Sequence, residues 1–302
     1  MIPEFQPLTA AHLPKILAYI RDASGRLCDR TSGILYMWAK QYNTELAEHD
    51  GRILLRSRWD GRMVYGFPWG RGALDSALNA CRADAEAKGS PLTFASLTEE
   101  EAALICDHFG HTCTRESNDG WSDYLYDAPA LAALTGRAYH GPRNHINRFL
   151  AEYPDYSYCA LTADQMDAVA AFYREHRART ADNAVPSALA EAETASNLIS
   201  LFPTLVNGGA PLCGGVLRVR EEIVGFSIGE RLGDTLFVHI EKGNTAYSGV
   251  YPMLVREFAR LGMTPNIFYI NREEDDGHPG LRRSKQAYHP VTLLRKFIVS
   301  CP

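Results

Sequence analysis

Hydrophobic and polar positions follow the same order of patterns twice along the 302 residues of the chain. In the first half, two stretches with helical spacing lead to alternating segments that predict a β-hairpin turning at Asp60-Gly61. A helical stretch ending at Gly89, the strand-like LTFASL, a helix begun by the capping box Thr98 to Glu101, and the strand-like SDYLYD follow. This half therefore predicts helices, an antiparallel meander, a crossover helix, a strand, a helix and a last strand.

The second half repeats this order. Helical patterns at DQMDAVAAFYREHRAR and ALAEAETASNLISLF precede three strand-like segments, GGVLRVR, IVGFSIGERL and TLFVHIEKG. The helix VYPMLVREFARLG, the strand NIFYIN, a short helix near GLRRSKQAY and the strand VTLLRKFIV complete it. The duplicated order predicts an α+β fold built from two copies of one unit.

The domain boundaries are predicted from the breaks between the two halves. We predict a first domain at 1–138, a linking helix at 139–154 and a second domain at 155–302. Within this segment Gly141 and Pro142 break structure, RNHINRFLAEY after them has a helical pattern, and Ile146, Phe149 and Leu150 give it an apolar stripe.

Composition and charge narrow the protein class. A formal net charge of −5 argues against tight binding of nucleic acid through overall charge, and it leaves a local basic patch open. The seven cysteines are scattered and form no C-x-x-C pair, so we expect reduced thiols in a cytosol-like compartment. No basic leader precedes an apolar run, and no apolar segment approaches the ~20 residues that span a bilayer. We expect a soluble, cytoplasmic protein without a transmembrane segment.

The strand TLFVHIEKG carries the first candidate chemistry. Regular alternation would place Phe237, His239 and Glu241 on one face and Lys242 on the other. A histidine beside a carboxylate could form an acid/base pair, and the alternative is a hydrogen-bonded structural pair at a sheet end. H-x-E lacks a third ligand at a recognisable spacing, so we predict no metal site and no required cofactor.

The stretch FYINREEDDGHPGLRRSKQAY carries a second set of candidate catalytic residues. Its charges follow an apolar strand directly, at the carboxyl end where crevices form in sheets with crossover helices. The side chains that we expect to converge there are Asn271, Arg272, Glu273, Asp275, Arg282 and Lys285. The alternative is a solvated ion-pair network that caps the helix and contributes little energy.

Weaker candidates lie at helix starts. Gly243 and Gly249 bracket a loop that opens a helix, and Tyr251 in the first turn is a candidate donor-binding residue together with Lys242. Arg143 and Asn144 follow the helix breaker in a locally basic region, so we add them as donor-binding candidates.

Three segments carry a family resemblance. SDYLYDAPALAALTGRAYHGPRNHINRF, HIEKGNTAYSGVYPMLVREF and INREEDDGHPGLRRSKQAYHP resemble the phosphatidylglycerol lysyltransferase C-terminal-like family. The resemblance spans nearly the whole chain. It implies two tandem GNAT-type acyltransferase domains, akin to the Fem-type enzymes that move an aminoacyl group from charged tRNA to an amine or a lipid hydroxyl. Its candidate acceptors are a small molecule, a lipid or a peptidoglycan precursor, and no obligate protein partner is expected.

The chain departs from the family in several places. Pro142 stands where other members usually carry Lys, and Ala287 stands where Ser is common. The membrane-spanning half of the lipid-modifying enzymes is absent from this sequence, which argues against a phospholipid acceptor. WGRGA matches only the glycines of the acetyl-CoA loop, so the sequence gives no support for acyl-CoA as the donor.

The leading hypothesis from the sequence is an aminoacyl-tRNA-dependent acyltransferase with its cleft in the second domain. Glu241 and His239 would remove a proton from the acceptor, with Glu273 and Asp275 behind them. Arg272 or Lys285 would stabilise the oxyanion.

Other basic side chains are expected to bind the donor, and the candidates for its phosphates are Arg143, Arg282 and Arg283. The alternatives are a CoA-dependent N-acyltransferase and a non-catalytic binding module on the paired fold.

Overall fold

The computed structural model describes residues 2–20, 25–110, 112–180 and 186–302, and the statements below concern these residues. The strands are β1 (Gln6–Pro7), β2 (Glu45–His49), β3 (Arg52–Trp59), β4 (Arg62–Tyr65), β5 (Trp69–Gly70), β6 (Leu92–Leu97), β7 (Thr114–Ser117), β8 (Asp123–Asp127), β9 (Tyr156–Ala160), β10 (Leu212–Val219), β11 (Glu222–Leu232), β12 (Thr235–Gly243), β13 (Tyr269–Asn271), β14 (Thr292–Leu294) and β15 (Phe297–Cys301). The helices are α1 (Leu13–Ile20), α2 (Ser32–Trp38), α3 (Leu74–Ala87), α4 (Glu99–Phe109), α5 (Ala128–Ala133), α6 (His140–Glu152), α7 (Met166–Thr180), α8 (Pro186–Asn207), α9 (Val250–Gly262) and α10 (Pro279–Gln286).

The chain divides into two compact units, and the first is discontinuous. Unit 1 comprises Met1–Asp123 and Leu294–Pro302, and unit 2 comprises Tyr124–Leu293. These bounds differ from the predicted 1–138, 139–154 and 155–302. The segment predicted as a linking helix forms α6, but Ile146 and Phe149 are buried in the core of unit 2, so α6 belongs to that unit.

Unit 1 is built on a mixed sheet with the strand order β1-β2-β3-β4-β6-β15-β7, and β5 pairs with β3. The predicted hairpin joins β3 and β4, with Asp60 and Gly61 both at positive φ as a tight two-residue turn requires. β15 lies antiparallel between β6 and β7, although its sequence stands in the predicted second domain. Apolar periodicity identifies a strand but not its neighbours, which is why the sequence placed β15 with the other unit.

A disulfide joins Cys113 to Cys301, with a Cα–Cα distance of 4.2 Å. The expectation that all the cysteines are reduced thiols is therefore wrong for this pair. Cys113 directly precedes β7 and Cys301 ends β15, and the pairing of Thr114 with Ser300 brings the two sulfurs together. The two cysteines are 188 positions apart in sequence, so no local spacing pattern could reveal the bond.

Unit 2 is built on a second mixed sheet, in the order β14-β8-β13-β12-β11-β10-β9. Helix α9 covers one face, because a Cβ added at Gly225 or Gly243 would meet Leu254 at 3.0 and 3.2 Å. Helix α7 covers the other face, where the ring of Phe172 meets that of Phe226 edge-on. The α+β class predicted from the sequence is confirmed by these two mixed, mostly antiparallel sheets with flanking helices.

No helix in the described part of the chain is long and apolar enough to cross a membrane.

Candidate active site

The two parallel strands at the centre of unit 2 part at their carboxyl ends. β12 and β13 pair from Thr235 and Tyr269 as far as Phe237 and Asn271, and the ladder stops there while β12 continues to Gly243. The opening lies directly before the acidic segment that the sequence singled out. Polar side chains that follow β13 can therefore reach across to β12 without an intervening strand.

A β-bulge interrupts β12 in front of this opening. Ile228 of β11 lies opposite Ile240, and the next residue, Gly229, lies opposite Val238, so His239 is an extra residue in the ladder. A bulge of this kind breaks the alternation of side chains along a strand.

The bulge places His239 and Glu241 on opposite faces, so the predicted shared face is wrong. Glu241 is two residues before Gly243, whose face is covered by α9, and it shares that orientation. Gly229 also faces α9, because an added Cβ would meet Phe258 at 3.0 Å. The next residue, Glu230, therefore points the other way, and His239 contacts Glu230.

His239 lies between two carboxylates and its side chain is fully buried. Nδ1 is 2.8 Å from Oε1 of Glu273, and Nε2 is 3.6 Å from Oε2 of Glu230, close enough for an ion pair but too long for a hydrogen bond. Burial alone would lower the pKa of His239, but the two carboxylates outweigh it and raise the pKa to about 9. The imidazole is therefore protonated at neutral pH.

Glu273 stands in a strained and firmly held loop. Its φ is 58°, an unfavourable value for a side chain larger than glycine, and its backbone N–H donates to Oδ1 of Asn271 at 2.6 Å. The Lys285 ammonium donates to the carbonyl oxygens of Arg272, Glu273 and Glu274 at 2.5, 3.0 and 2.5 Å. Burial raises the pKa of Glu273, and the contact with protonated His239 opposes that rise.

Arg272 crosses the opening on the α9 side. Its Nη2 donates to Oε1 of Glu241 at 3.0 Å, and its guanidinium lies over the ring of Tyr288 with the carbon 5.1 Å from the ring centre. Nη1 is buried and has no hydrogen-bond partner among the described residues. Burial raises the pKa of Glu241 above its ordinary value, and the nearby Arg272 opposes this rise.

Asp275 fastens α10 to the loop that follows β13. It is fully buried and receives Nε and Nη2 of Arg282 at 2.8 and 3.0 Å, the hydroxyl of Tyr124 at 2.6 Å and the backbone N–H of Gly277 at 2.8 Å. Burial alone would raise the pKa of Asp275, but the bonds from Arg282 and Tyr124 lower it to about 2. With both oxygens engaged by strong donors, this carboxylate is arranged as an anchor for α10.

Two further candidates lie around the end of β12. Lys242 points to the face opposite Glu241 and forms an ion pair with Glu191 of α8 at 2.7 Å. Tyr251, in the first turn of α9, is half-buried against the core of unit 2, and burial raises its pKa.

Arg143 and Asn144 bond within their own segment. Nη1 of Arg143 donates to the carbonyl oxygens of Leu134 and Gly136 at 2.6 and 2.5 Å, which caps the end of α5. The amide of Asn144 is 3.3 Å from the ring of His140, one turn earlier in α6.

The structure adds polar groups that the sequence did not indicate. Glu230 is fully buried beside His239, and Ser227 lies directly opposite Glu241 in the β11–β12 ladder. The hydroxyls of Ser227 and Tyr158 are buried without a hydrogen-bond partner in the described part of the chain. These residues come from strands far apart in sequence, and only the sheet register brings them to the site.

A separate surface cavity of about 310 Å³ lies elsewhere in unit 2. It is lined mainly by apolar side chains of β9, β10 and α8, including Phe202 and Leu212, and none of the predicted site residues lines it. The candidate chemistry of unit 2 therefore rests on the side-chain geometry around the opening between β12 and β13.

Comparison with known proteins agrees with the sequence resemblance. The model of the family described as "Phosphatidylglycerol lysyltransferase, C-terminal" matches residues 22–300. A conserved protein of unknown function from Bacteroides thetaiotaomicron is 30% identical, with a TM-score of 0.92 and full coverage of both chains. L-PGS from Bacillus licheniformis is 15% identical, with a TM-score of 0.66 over 95% of this chain and 91% of the other.

A curated relative matches less of the chain. An uncharacterized protein of Mycoplasmoides gallisepticum is 24% identical over 179 residues, which is 59% of this chain and 56% of that protein. The chain thus matches a little over half the length of that relative.

Proposed function

Because the chain belongs to the phosphatidylglycerol lysyltransferase C-terminal family, we propose that its second unit transfers an aminoacyl group from aminoacyl-tRNA to an amine or hydroxyl acceptor. Family and fold together indicate an acyltransferase with two GNAT-like domains. The observation that carries the proposal is the pair of consecutive residues after β13. Arg272 and Glu273 reach β12 through Glu241 and His239, so an electrostatic donor and a carboxylate base flank one opening.

Glu273 acts as the base in this proposal. An acceptor amine is mostly protonated at neutral pH and then has no lone pair for attack, so a nearby carboxylate is needed to take its proton before the nitrogen attacks the acyl carbonyl. Glu273 keeps 18% of its side-chain surface exposed, while its partner His239 is fully buried. His239 holds Glu273 in place, and the raised pKa of Glu273 makes it a stronger base than an ordinary carboxylate.

Arg272 stabilises the negative charge of the tetrahedral intermediate. A buried donor that is already oriented and lacks a partner costs no reorganisation when the oxyanion forms. Glu241 holds one edge of the guanidinium and leaves Nη1 for the substrate oxygen. Glu241 is thus a positioning residue for Arg272, whereas the sequence had ranked it as the leading base.

Basic side chains of α10 contact the donor phosphates. Arg283 is exposed and follows Arg282, which Asp275 fixes in place, so the helix presents positive charge near the opening. The acceptor is an amine or hydroxyl compound, with a small molecule, a lipid or a peptidoglycan precursor as the candidate classes.

Transfer of a radiolabelled aminoacyl group from a pool of charged tRNA to amine and hydroxyl acceptors tests the proposal. Activity in the wild type that is lost in Glu273→Gln, and kept in the exposed control Asp276→Asn, is the expected result. Thermal stabilisation by acyl-CoA but not by aminoacyl-tRNA would identify a CoA-dependent enzyme. Ligand binding without turnover with either donor would identify a binding module.

A further inference from the structure

Unit 1 holds a largely buried group of reactive side chains that the proposed reaction does not use. Cys28, Asp29 and Asp123 place one donor atom each within 4.8 Å of one another, and Nζ of Lys296 lies 2.8 Å from a carboxylate oxygen of each aspartate. The third contact of this ammonium is Sγ of Cys28, at 3.3 Å. Lys296 thus supplies the positive charge that a metal ion would bring to such a group.

We propose that Cys28 and Lys296 form a site of oxidative modification, in which hydrogen peroxide joins them through a covalent sulfur–oxygen–nitrogen bridge. The cysteine sulfur and the lysine nitrogen already face each other, and a single oxygen atom inserted between them spans most of the gap. Cys28 keeps 2% and Lys296 keeps 7% of its surface exposed, so both groups are shielded from bulky thiols, while Asp29 beside them keeps 26% of its side-chain surface exposed.

The reaction balances with two molecules of hydrogen peroxide and releases three of water. The Cys28 sulfur attacks one peroxide oxygen, the O–O bond breaks, and the products are a sulfenic acid and water. The deprotonated Lys296 amine attacks the second peroxide and forms a hydroxylamine and water. The sulfenic acid and the hydroxylamine then condense, forming the S–O–N linkage and the third water.

The surroundings favour this pair. Asp29 and Asp123 are the immediate acceptors for the protons that the ammonium must lose. The Cys28 backbone N–H donates to Oδ2 of Asp123 at 2.7 Å, and the Cys28 thiol lies 3.5 Å from Oδ1 of the same carboxylate, which fixes the sulfur beside the amine.

The bridge has a structural consequence in unit 1. Lys296 lies in Leu294–Pro302, the C-terminal segment of unit 1. The bridge would link this segment covalently to the rest of unit 1 at a second point, in addition to the Cys113–Cys301 disulfide.

Peptide mapping without reductant tests the proposal. The full-length protein is treated with hydrogen peroxide, its remaining thiols are alkylated, and it is digested with trypsin. We expect a fragment that joins LCDR to KFIVSCP, with a mass gain of one oxygen less two hydrogens and no cleavage after Lys296. The Cys113 peptide is attached to the same fragment through Cys301, and dithiothreitol releases all three.

Two variants serve as controls. Lys296→Arg keeps the positive charge but has no primary amine, so the fragment should disappear, whereas the buried thiol variant Cys81→Ser should retain it. Peroxide should raise the thermal midpoint of the wild type relative to Lys296→Arg. Peptide mapping of the oxidised wild type tests the proposed bridge without reference to the variants. Recovery of Cys28 only as a thiol or an oxyacid overturns the proposal, and so does a cross-link that lacks the oxygen.

Discussion

Arg272 binds Glu241 through one of its two terminal nitrogens: Nη2 donates to Oε1 of the carboxylate at 3.0 Å, and Nη1 is buried without a partner among the described residues. Leaving such a donor unsatisfied is unfavourable unless water or a ligand meets it. We therefore expect a bound substrate to supply the acceptor that Nη1 of Arg272 lacks.

Replacing Arg272 with Lys should lower kcat for aminoacyl transfer by about 10²- to 10³-fold, since an ammonium lacks the planar fork that lets the guanidinium bond Glu241 through Nη2 and present Nη1 to the oxyanion. Steady-state kinetics with saturating donor would measure the effect. The matched control is Arg295→Lys in unit 1, which should keep wild-type kcat. Arg295 is exposed, and its ion pair with Asp119 is long, at 3.9 Å. An unchanged kcat in Arg272→Lys would remove this residue from the chemical step.

The ring of His239 should titrate near pH 9 in the folded protein and at a lower pH in Glu273→Gln, because one of the two stabilising carboxylates is then gone. NMR titration of the ring nitrogens would follow both proteins. A titration in the wild type near the ordinary pKa of 6.5 would contradict the buried arrangement of the cluster.

The same histidine predicts how stability changes with pH. A folded-state pKa above the unfolded value gives stability that is complete below pH 6.5 and is lost as the pH rises through about 9. The loss from His239 should reach about 3 kcal/mol of unfolding free energy. Denaturant titrations across this range would measure it, and a smaller loss in Glu273→Gln is expected.

Lys285→Met should lower the unfolding free energy of the protein by about 3 kcal/mol, since three partly buried carbonyl oxygens of the loop after β13 would lose a charged donor. Chemical denaturation would measure the change. Lys88→Met at an exposed position is the control, with little expected effect. Equal stability of both variants would mean that water replaces the ammonium at no cost.

Gly249→Ala should destabilise the protein by about 2 kcal/mol more than Gly233→Ala. Both glycines have positive φ, 87° and 59°, but a Cβ at Gly249 would lie 2.4 Å from the carbonyl oxygen of His145, whereas open space surrounds Gly233. Since both substitutions strain the backbone, the difference between the two variants measures the steric overlap at Gly249. Similar thermal midpoints for the two variants would show that α6 moves aside easily.

Five of the seven cysteines should react with a thiol reagent after unfolding without reductant, and all seven after reduction, because Cys113 and Cys301 are bonded to each other. Quantitative alkylation and intact mass would count them. Seven reactive thiols before reduction would mean that the purified protein lacks this bond.

Much of the fold could be predicted from local patterns, because caps and turns are local. The Asp60-Gly61 hairpin and the capping box of Thr98 and Glu101 both form as the sequence predicts. Strand partners depend on the whole chain, and for that reason β8 and β15 were each assigned to the wrong half.

For the candidate site, the sequence could predict the segment that carries the charged residues but not the faces on which the side chains of β12 lie. Charges after an apolar strand pointed to residues 271–285, and several of these do contact one another. The alternation rule failed at His239, because nothing in the spacing of apolar residues distinguishes a bulged strand from a regular one. Glu230 stayed hidden for the same reason, since its place beside His239 exists only once β11 and β12 are in register.

The position of β15 within the first sheet affects the order in which this protein can be completed on the ribosome. Residues 2–117 emerge first, yet the gap between β6 and β7 stays open until 297–301 have been synthesised. The unit encoded first therefore finishes last. During that interval the backbone edges of β6 and β7 are exposed, and we expect chaperone binding to nascent chains to concentrate there.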